Sequence, residues 1–167
     1  MPWRTAAMLR LDADGRYIDA DDVALELLGV ASVEALRAMP PNAFRATPPD
    51  PEGEAAFRNA FVDALFQGLI GEGALKRVDG ELVRVRTAIV PESEGVYRAL
   101  LYPVERPTRN ITPKVYKIAD VLAEWRVAER RLVEVDPSTD EGLRIAADVD
   151  QLREQYQLLF RRTSGAT

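Results

Sequence analysis

A strand, a tight turn and a second strand occur at each end of a helical stretch in this 167-residue chain. Thr5 to Leu11 alternates loosely between apolar and polar residues, Asp12-Ala-Asp-Gly15 supplies turn chemistry, and Tyr17-Ile18 begins a return strand. Leu69–Val78 and Glu81–Val90 flank Asp79-Gly80 in the same way. Strands joined by turns this short pair antiparallel, because a parallel pair needs a long crossover. Val83, Val85, Thr87 and Ile89 fall on one face of the second hairpin, with Arg84 and Arg86 on the other. Pro91-Glu-Ser-Glu-Gly95 reads as the next turn and Val96–Val104 as a last strand. The expectation is a five-stranded antiparallel sheet.

Helices fill the gap between the second and third strands. Asp19, Asp21 and Asp22 crowd a helix start, where carboxylates accept from free N–H groups and favour the dipole. Val23, Leu27 and Val30 follow at helical spacing, and Gly29 is placed to end the turn. Ser32 caps a shorter helix carrying Val33, Leu36 and Met39, stopped at Pro40-Pro41. After a proline-rich loop holding Phe44, Glu54–Gln67 has the broad stripe of a longer helix, with Phe57, Phe61 and Leu65 inward and Gly68 ending it.

The C-terminal third has a helical period. Thr112-Pro113 reads as a helix start. Val115, Ile118, Leu122, Trp125 and Leu132 fall on a heptad seam. Asp136-Pro137 breaks it, and Ser138-Thr-Asp-Glu141 has the spacing of a capping box. Ile145, Val149, Leu152, Tyr156 and Leu159 repeat the seam. Two such helices with a short break form an antiparallel hairpin. Each seam must be covered by its partner helix, by the sheet or by another subunit. The domain expectation is therefore a sheet-containing domain at 1–110, a helical hairpin or dimerisation arm at 111–163, and a disordered tail at 164–167.

Composition narrows function mostly by exclusion. Histidine and cysteine are both absent, so disulfides, thiol nucleophiles, thiolate metal sites and imidazole acid–base pairs cannot be built. The clusters Asp12/Asp14 and Asp19/Asp21/Asp22 are explained by turns and caps, and the expectation is no enzyme, no catalytic residues and no metal. A net charge of −5 gives no general attraction to nucleic acid. Arg126, Arg130 and Arg131 are interleaved with Glu124, Glu129 and Glu134, as on a solvated helix face. No apolar run reaches spanning length or suits a signal peptide, so the expected location is cytoplasmic, without a membrane partner. The excess of arginine over lysine, with abundant alanine, points to a GC-rich bacterial genome.

The order of these pieces resembles the PAS family of sensory domains over about residues 5–113. IDADDVALELLGVASVEAL (18–36) is similar to the family's strand end, polar cap and short helix. PPDPEG (48–53) resembles its middle section, ALKRVDGELVRVR (74–86) its strand-DG-strand hairpin, and RNITPK (109–114) the motif at which the chain leaves the sheet. Asp21 stands where the family usually has asparagine, and Asn110 and Pro113 replace the acidic residues of the exit motif.

The resemblance implies a PAS-like α+β fold with helices on one face of the sheet and a signalling helix behind it. It also implies a pocket between the sheet and the helices. Phe44, Phe61, Leu65, Leu75, Val85 and Leu100 are candidates for its wall, and Arg77 and Tyr102 for polar recognition. The same apolar residues also suit an ordinary core. Without cysteine or histidine, a cysteine-adduct flavin and a histidine-ligated haem are excluded. Noncovalent flavin, a fatty acid, another small apolar ligand or a filled core remain open. The implied function is a sensory or regulatory module acting as a homodimer with a separate signalling partner. Val115, Ile118, Leu122, Trp125, Leu132, Val149, Leu152 and Tyr156 are the candidate partner-helix residues. The alternatives are a ligand-free interaction module and, more distantly, a cone-shaped α+β-barrel enzyme or small-molecule carrier.

Overall fold

The computed structural model describes residues 6–41, 43–46, 59, 63–105 and 113–164. Its strands are β1 (Ala7–Asp12), β2 (Tyr17–Ala20), β3 (Ile70–Lys76), β4 (Leu82–Ser93), β5 (Val96–Pro103) and β6 (Lys114–Tyr116). Two short helices, α1 (Asp22–Leu28) and α2 (Val33–Arg37), follow β2. Two long ones, α3 (Ile118–Glu134) and α4 (Asp140–Ser164), follow β6. The strand order is β2-β1-β5-β4-β3-β6. The pairs β1–β2, β1–β5, β5–β4 and β4–β3 are antiparallel, as the short turns require. Compact units divide at Val115/Tyr116. No described helix is long and apolar enough to cross a membrane.

The turns follow the expected chemistry. Asp12 Oδ1 accepts from the N–H groups of Asp14 and Arg16 at 2.9 Å each. Gly15 and Gly80 take φ of 77° and 89°, a region in which a side chain would be strained. The third turn is shorter than its sequence suggested. β4 runs through Pro91 to Ser93, leaving Glu94-Gly95 as the turn, because a bulge between Pro91 and Ser93 absorbs the irregularity.

The sheet divides into two chemically distinct faces. Val85, Thr87 and Ile89 of β4 lie opposite Pro103, Leu101 and Ala99 of β5, and Ala99 and Leu101 in turn face Leu9 and Ala7 of β1. Ala7, Leu9, Val85, Ile89, Ala99 and Leu101 are all buried. Tyr17 pairs with Leu11 on this side, and its ring meets Phe44 edge-on at 5.5 Å. Tyr97 also pairs with Leu11, and its ring meets Phe66 at 4.8 Å. The loop at Phe44 and the helical segment 63–66 therefore lie over the apolar face.

The opposite face carries charge. Arg10 of β1 pairs with Asp19 and Glu92, and Arg98 of β5 reaches Glu92 at 3.7 Å. Further along, Glu72 of β3 is 1% exposed and Arg86 of β4 is 3% exposed. Arg86 Nε donates to Glu72 Oε2 at 3.0 Å. Arg84 Nε lies 2.6 Å from Glu72 Oε1, off the donor direction, so that contact is an ion pair without an aligned hydrogen bond. The arginine side of β4 is thus an ionic interior at one end and a half-exposed charge ladder at the other.

Two expectations fail at the junction before the long helices. The sheet has six strands, and Val115 belongs to β6 rather than to a helical seam. Valine and tyrosine suit a strand, and pairing with β3 satisfies backbone groups at a sheet edge. The helix starts at Ile118, not at Thr112-Pro113. Asp120 Oδ2 accepts the Lys117 N–H at 2.8 Å, and the Asp120 N–H donates to the Lys117 carbonyl at 3.0 Å. Thr112 itself lies outside the described residues.

α3 and α4 form the expected hairpin. Trp125 and Tyr156 meet at 5.5 Å between ring centroids, and Arg153 lies 5.7 Å above the Trp125 ring. The cap is one residue later than the sequence suggested: Thr139 Oγ1, not Ser138, accepts the N–H of Gly142 at 3.0 Å. Ser138 instead donates through its hydroxyl and its N–H to Asp136 Oδ1, which holds that carboxyl below the usual aspartate range. α4 continues to Ser164, one residue past the expected arm.

Gly142 is buried in the first turn of α4, where an added Cβ would collide with the Asp136 carbonyl and lie 2.9 Å from Pro137 Cα. Gly142→Ala should push the 136–137 turn off α4 and cost about 1–3 kcal/mol, read as a lower thermal midpoint. Glu72→Ala strands two arginines beside the site of a lost carboxylate. It should cost about 3–5 kcal/mol in denaturant unfolding.

Candidate functional site

The apolar face of the sheet is the best-defined interior of the unit Ala6–Val115, and α1, which packs beside β1 and β2, is held at both ends. Its N-cap is Asp21, whose Oδ1 accepts from Ala24 N–H at 2.7 Å and from Met8 N–H in β1 at 3.2 Å. The Asp21 N–H donates to the Met8 carbonyl at 3.1 Å. One residue thus caps the helix and joins it to a strand. Aspartate accepts in both directions without an amide to place, which fits a site that offers only N–H donors.

The C-terminal end is held from 50 residues away. Arg77, just beyond β3, donates from Nη1 to the carbonyls of Glu26 and Leu27 at 3.1 and 3.0 Å. The Val78 N–H donates to the Leu28 carbonyl at 3.1 Å. A guanidinium on the last carbonyls of a helix satisfies orphan acceptors and opposes the negative end of the dipole. Asp79 and Glu81 hold the Arg77 Nε at 3.1 and 3.7 Å. The Glu81 N–H and then Arg77 lower the pKa of Asp79. Gly29 ends α1 at φ 71°, and a Cβ there would sit 3.3 Å from the Arg77 guanidinium.

On the apolar side β3 is unusually bare. Gly71 pairs with Thr87 and Gly73 with Val85, so both glycines face the apolar side. A Cβ built on Gly73 meets nothing within 4 Å. Strand glycines weaken a sheet and often mark a place where something else approaches the backbone. Two glycines spaced by two in a strand share one face, and that spacing is readable in the sequence.

The pocket candidates separate by strand parity. Val85 and Leu75 share the glycine side, and Phe44 reaches that side through Tyr17. Phe44, Leu65 and Val85 are 4%, 3% and 2% exposed. Leu100 pairs with Ala88 and Tyr102 with Arg86, which puts both on the ionic face. Those two cannot line the same space as Val85, because successive strand residues point to opposite faces. Arg77 is engaged with α1 instead of a pocket. Phe61 lies outside the described residues.

The helix candidates are placed as follows. Trp125 and Tyr156 close the hairpin on each other. Ile118, Leu122, Leu132 and Leu152 are half-buried, and Val149 is buried. The interior also contains Val121 and Gln155, at 0% and 2% exposure, which the heptad reading left out. Val115 is in β6.

No family model and no curated protein matches the chain. Solved structures with a similar fold include a PAS domain from Desulfitobacterium hafniense, 16% identical over 60% of this chain and 93% of that one, with a TM-score of 0.46. A domain of a sensory box sensor histidine kinase/response regulator from Geobacter sulfurreducens is 15% identical over 58% and 82%, with a TM-score of 0.42. The LOV protein of Rhodobacter sphaeroides is 15% identical over 97% and 90%, with a TM-score of 0.47. The α+β arrangement described above, an antiparallel sheet with short helices between β2 and β3 and two long helices after β6 in the chain, is PAS-like.

Arg77→Ala should release the end of α1 and lower stability by about 1–3 kcal/mol, since two carbonyls lose a charged donor. Arg77→Lys should recover only part of this, a lysine having no planar fork. Faster amide exchange at α1 than at β5 in the alanine variant is the expected signature.

Proposed function

We propose that this chain is a sensory or regulatory module that takes a small apolar ligand over β3 and relays occupancy to its C-terminal helices. The observation that supports this is Gly73, which faces the apolar side opposite Val85 and where an added Cβ would meet nothing within 4 Å. Apolar surroundings with few polar groups suit a fatty acid or a noncovalent flavin better than a charged metabolite. We read the module as a binder without catalysis, working as a homodimer in a bacterial cytoplasm with a separate signalling partner.

The relay follows from connectivity. β3 lies between β4 and β6 in the sheet. β6 ends at Tyr116, and α3 begins two residues later. A ligand pressing on β3 shifts the strand that precedes α3. The three-residue length of β6 makes it the part of the sheet with fewest hydrogen bonds to break.

A second reading rests on the buried rings and aliphatic groups at Phe44, Leu65 and Val85. They suit a filled core, and then the module works only by docking on another protein. Native mass spectrometry of freshly purified protein separates the two, because a bound small molecule adds mass that is lost on denaturation. Gly73→Val should be tolerated or stabilising by about 0.5–1 kcal/mol, as the space is open and valine favours strands. The same variant should lose any copurifying ligand. A ligand retained at full occupancy in Gly73→Val removes the site from β3.

A further inference from the structure

The glycine side of β3 has a charged neighbour. Arg45 forms an antiparallel bridge with Leu75, and the Lys76 N–H donates to the Phe44 carbonyl at 2.8 Å. Partners in an antiparallel bridge put their side chains on the same face. The hydrogen bond lies one residue outside the pair, the arrangement in which facing side chains come closest. Leu75 shares its face with Gly73, two residues away. Arg45 therefore stands on the apolar side, at the end of β3 nearest the Asp79-Gly80 turn. Phe44 belongs to the turn before the bridge, so strand alternation does not govern it.

The strand next to it offers little polarity on this side. β4 contributes Val83, Val85, Thr87 and Ile89, and Thr87 is the one polar residue among these four. A flavin ring carries a row of donors and acceptors along one edge, and each needs a partner once buried. That single hydroxyl does not supply them. An alkyl chain needs none and gains in proportion to its buried area. At the other end of such a molecule, the planar guanidinium fork of Arg45 matches a carboxylate through two parallel hydrogen bonds. Arg77 does not compete for it, because its Nη1 is held by the carbonyls of Glu26 and Leu27. Arg45 is half-buried, so a head group there stays within reach of water.

We infer that the ligand over β3 is a long-chain monocarboxylic acid, with its carboxylate on Arg45 and the start of its chain over Gly73 opposite Val85. This rests on the proposed ligand site and names the class of molecule that fills it. The placement also bears on the relay. Leu75 pairs with Val83 of β4 on one edge of β3, so its bridge to Arg45 lies on the other edge, where β6 also pairs. An acid gripped by Arg45 thus pulls on the edge that β6 shares, which a neutral chain over Gly73 would not do.

The test is titration of the full chain with dodecanoate and with dodecanol, which share a chain and differ in the head. The native chain should bind the acid about tenfold or more tightly than the alcohol, the difference made by a charge-assisted hydrogen-bonded pair. Arg45→Gln should remove that preference and leave the alcohol affinity within a few-fold. Arg45→Lys should keep the preference in part, because a point charge remains. Gly73→Val should weaken both probes together. Equal binding of acid and alcohol by the native chain, or a preference that survives Arg45→Gln, overturns the carboxylate assignment and leaves the apolar site standing. Loss of both probes in Arg45→Gln at an unchanged thermal midpoint also overturns it, since the arginine then shapes the site without reading the head. Flavin mononucleotide bound in place of dodecanoate overturns the acid class. A native chain that takes up none of these probes overturns the ligand site over β3 and this inference with it.

Discussion

Strand β4 sets the terms for the rest of the sheet. Its alternation puts Val85, Thr87 and Ile89 on one side and Arg84, Arg86 and Ala88 on the other. Antiparallel pairing carries that division to β3 and β5 without a slip until the bulge near Pro91. A shift by one residue would send two arginines into the apolar interior and expose Val85 and Ile89. Glu72 strengthens this choice. A buried carboxylate between Arg84 and Arg86 is satisfied only when β3 and β4 keep their observed register. The ionic cluster adds little net stability over an apolar one, and its value is in excluding other registers.

With the register fixed, the anchoring of α1 becomes possible. Arg77 follows β3 directly, so its reach to the carbonyls of Glu26 and Leu27 depends on where β3 ends. Asp21 depends in the same way on β1, through Met8. α1 has only seven residues, too short to be stable by propensity. It exists because the sheet supplies partners at both of its ends. Changes in β3 therefore bear on α1 at one edge and on β6 at the other.

How much of this was legible in the sequence depends on whether the signal was local. The Asp-Gly turns, the Asp21 and Ser32 caps, Gly29 and the break at Asp136-Pro137 are written in neighbouring residues, and the structure places them as read. The pairing of Arg77 with Glu26 and Leu27 joins residues 50 apart and leaves no periodic trace. Arg77 was read as a pocket residue because an arginine near a strand end has no local signature of a cap. Leu100 and Tyr102 failed for another reason. β5 is buried on both faces at this point, so its sequence shows a continuous apolar run in which parity cannot be read. β6 was hidden because Val-Tyr between Pro113 and a helix fits the helical period as well as a strand.

The long helices show how one pattern can hold two messages. A heptad seam states that a helix has a partner but not whether that partner is in the same chain. The turn at 135–139 is short, so α4 returns along α3 and takes the seam, with Trp125 against Tyr156. With that face filled, the heptad period is explained within one chain and no longer argues for a second subunit on it.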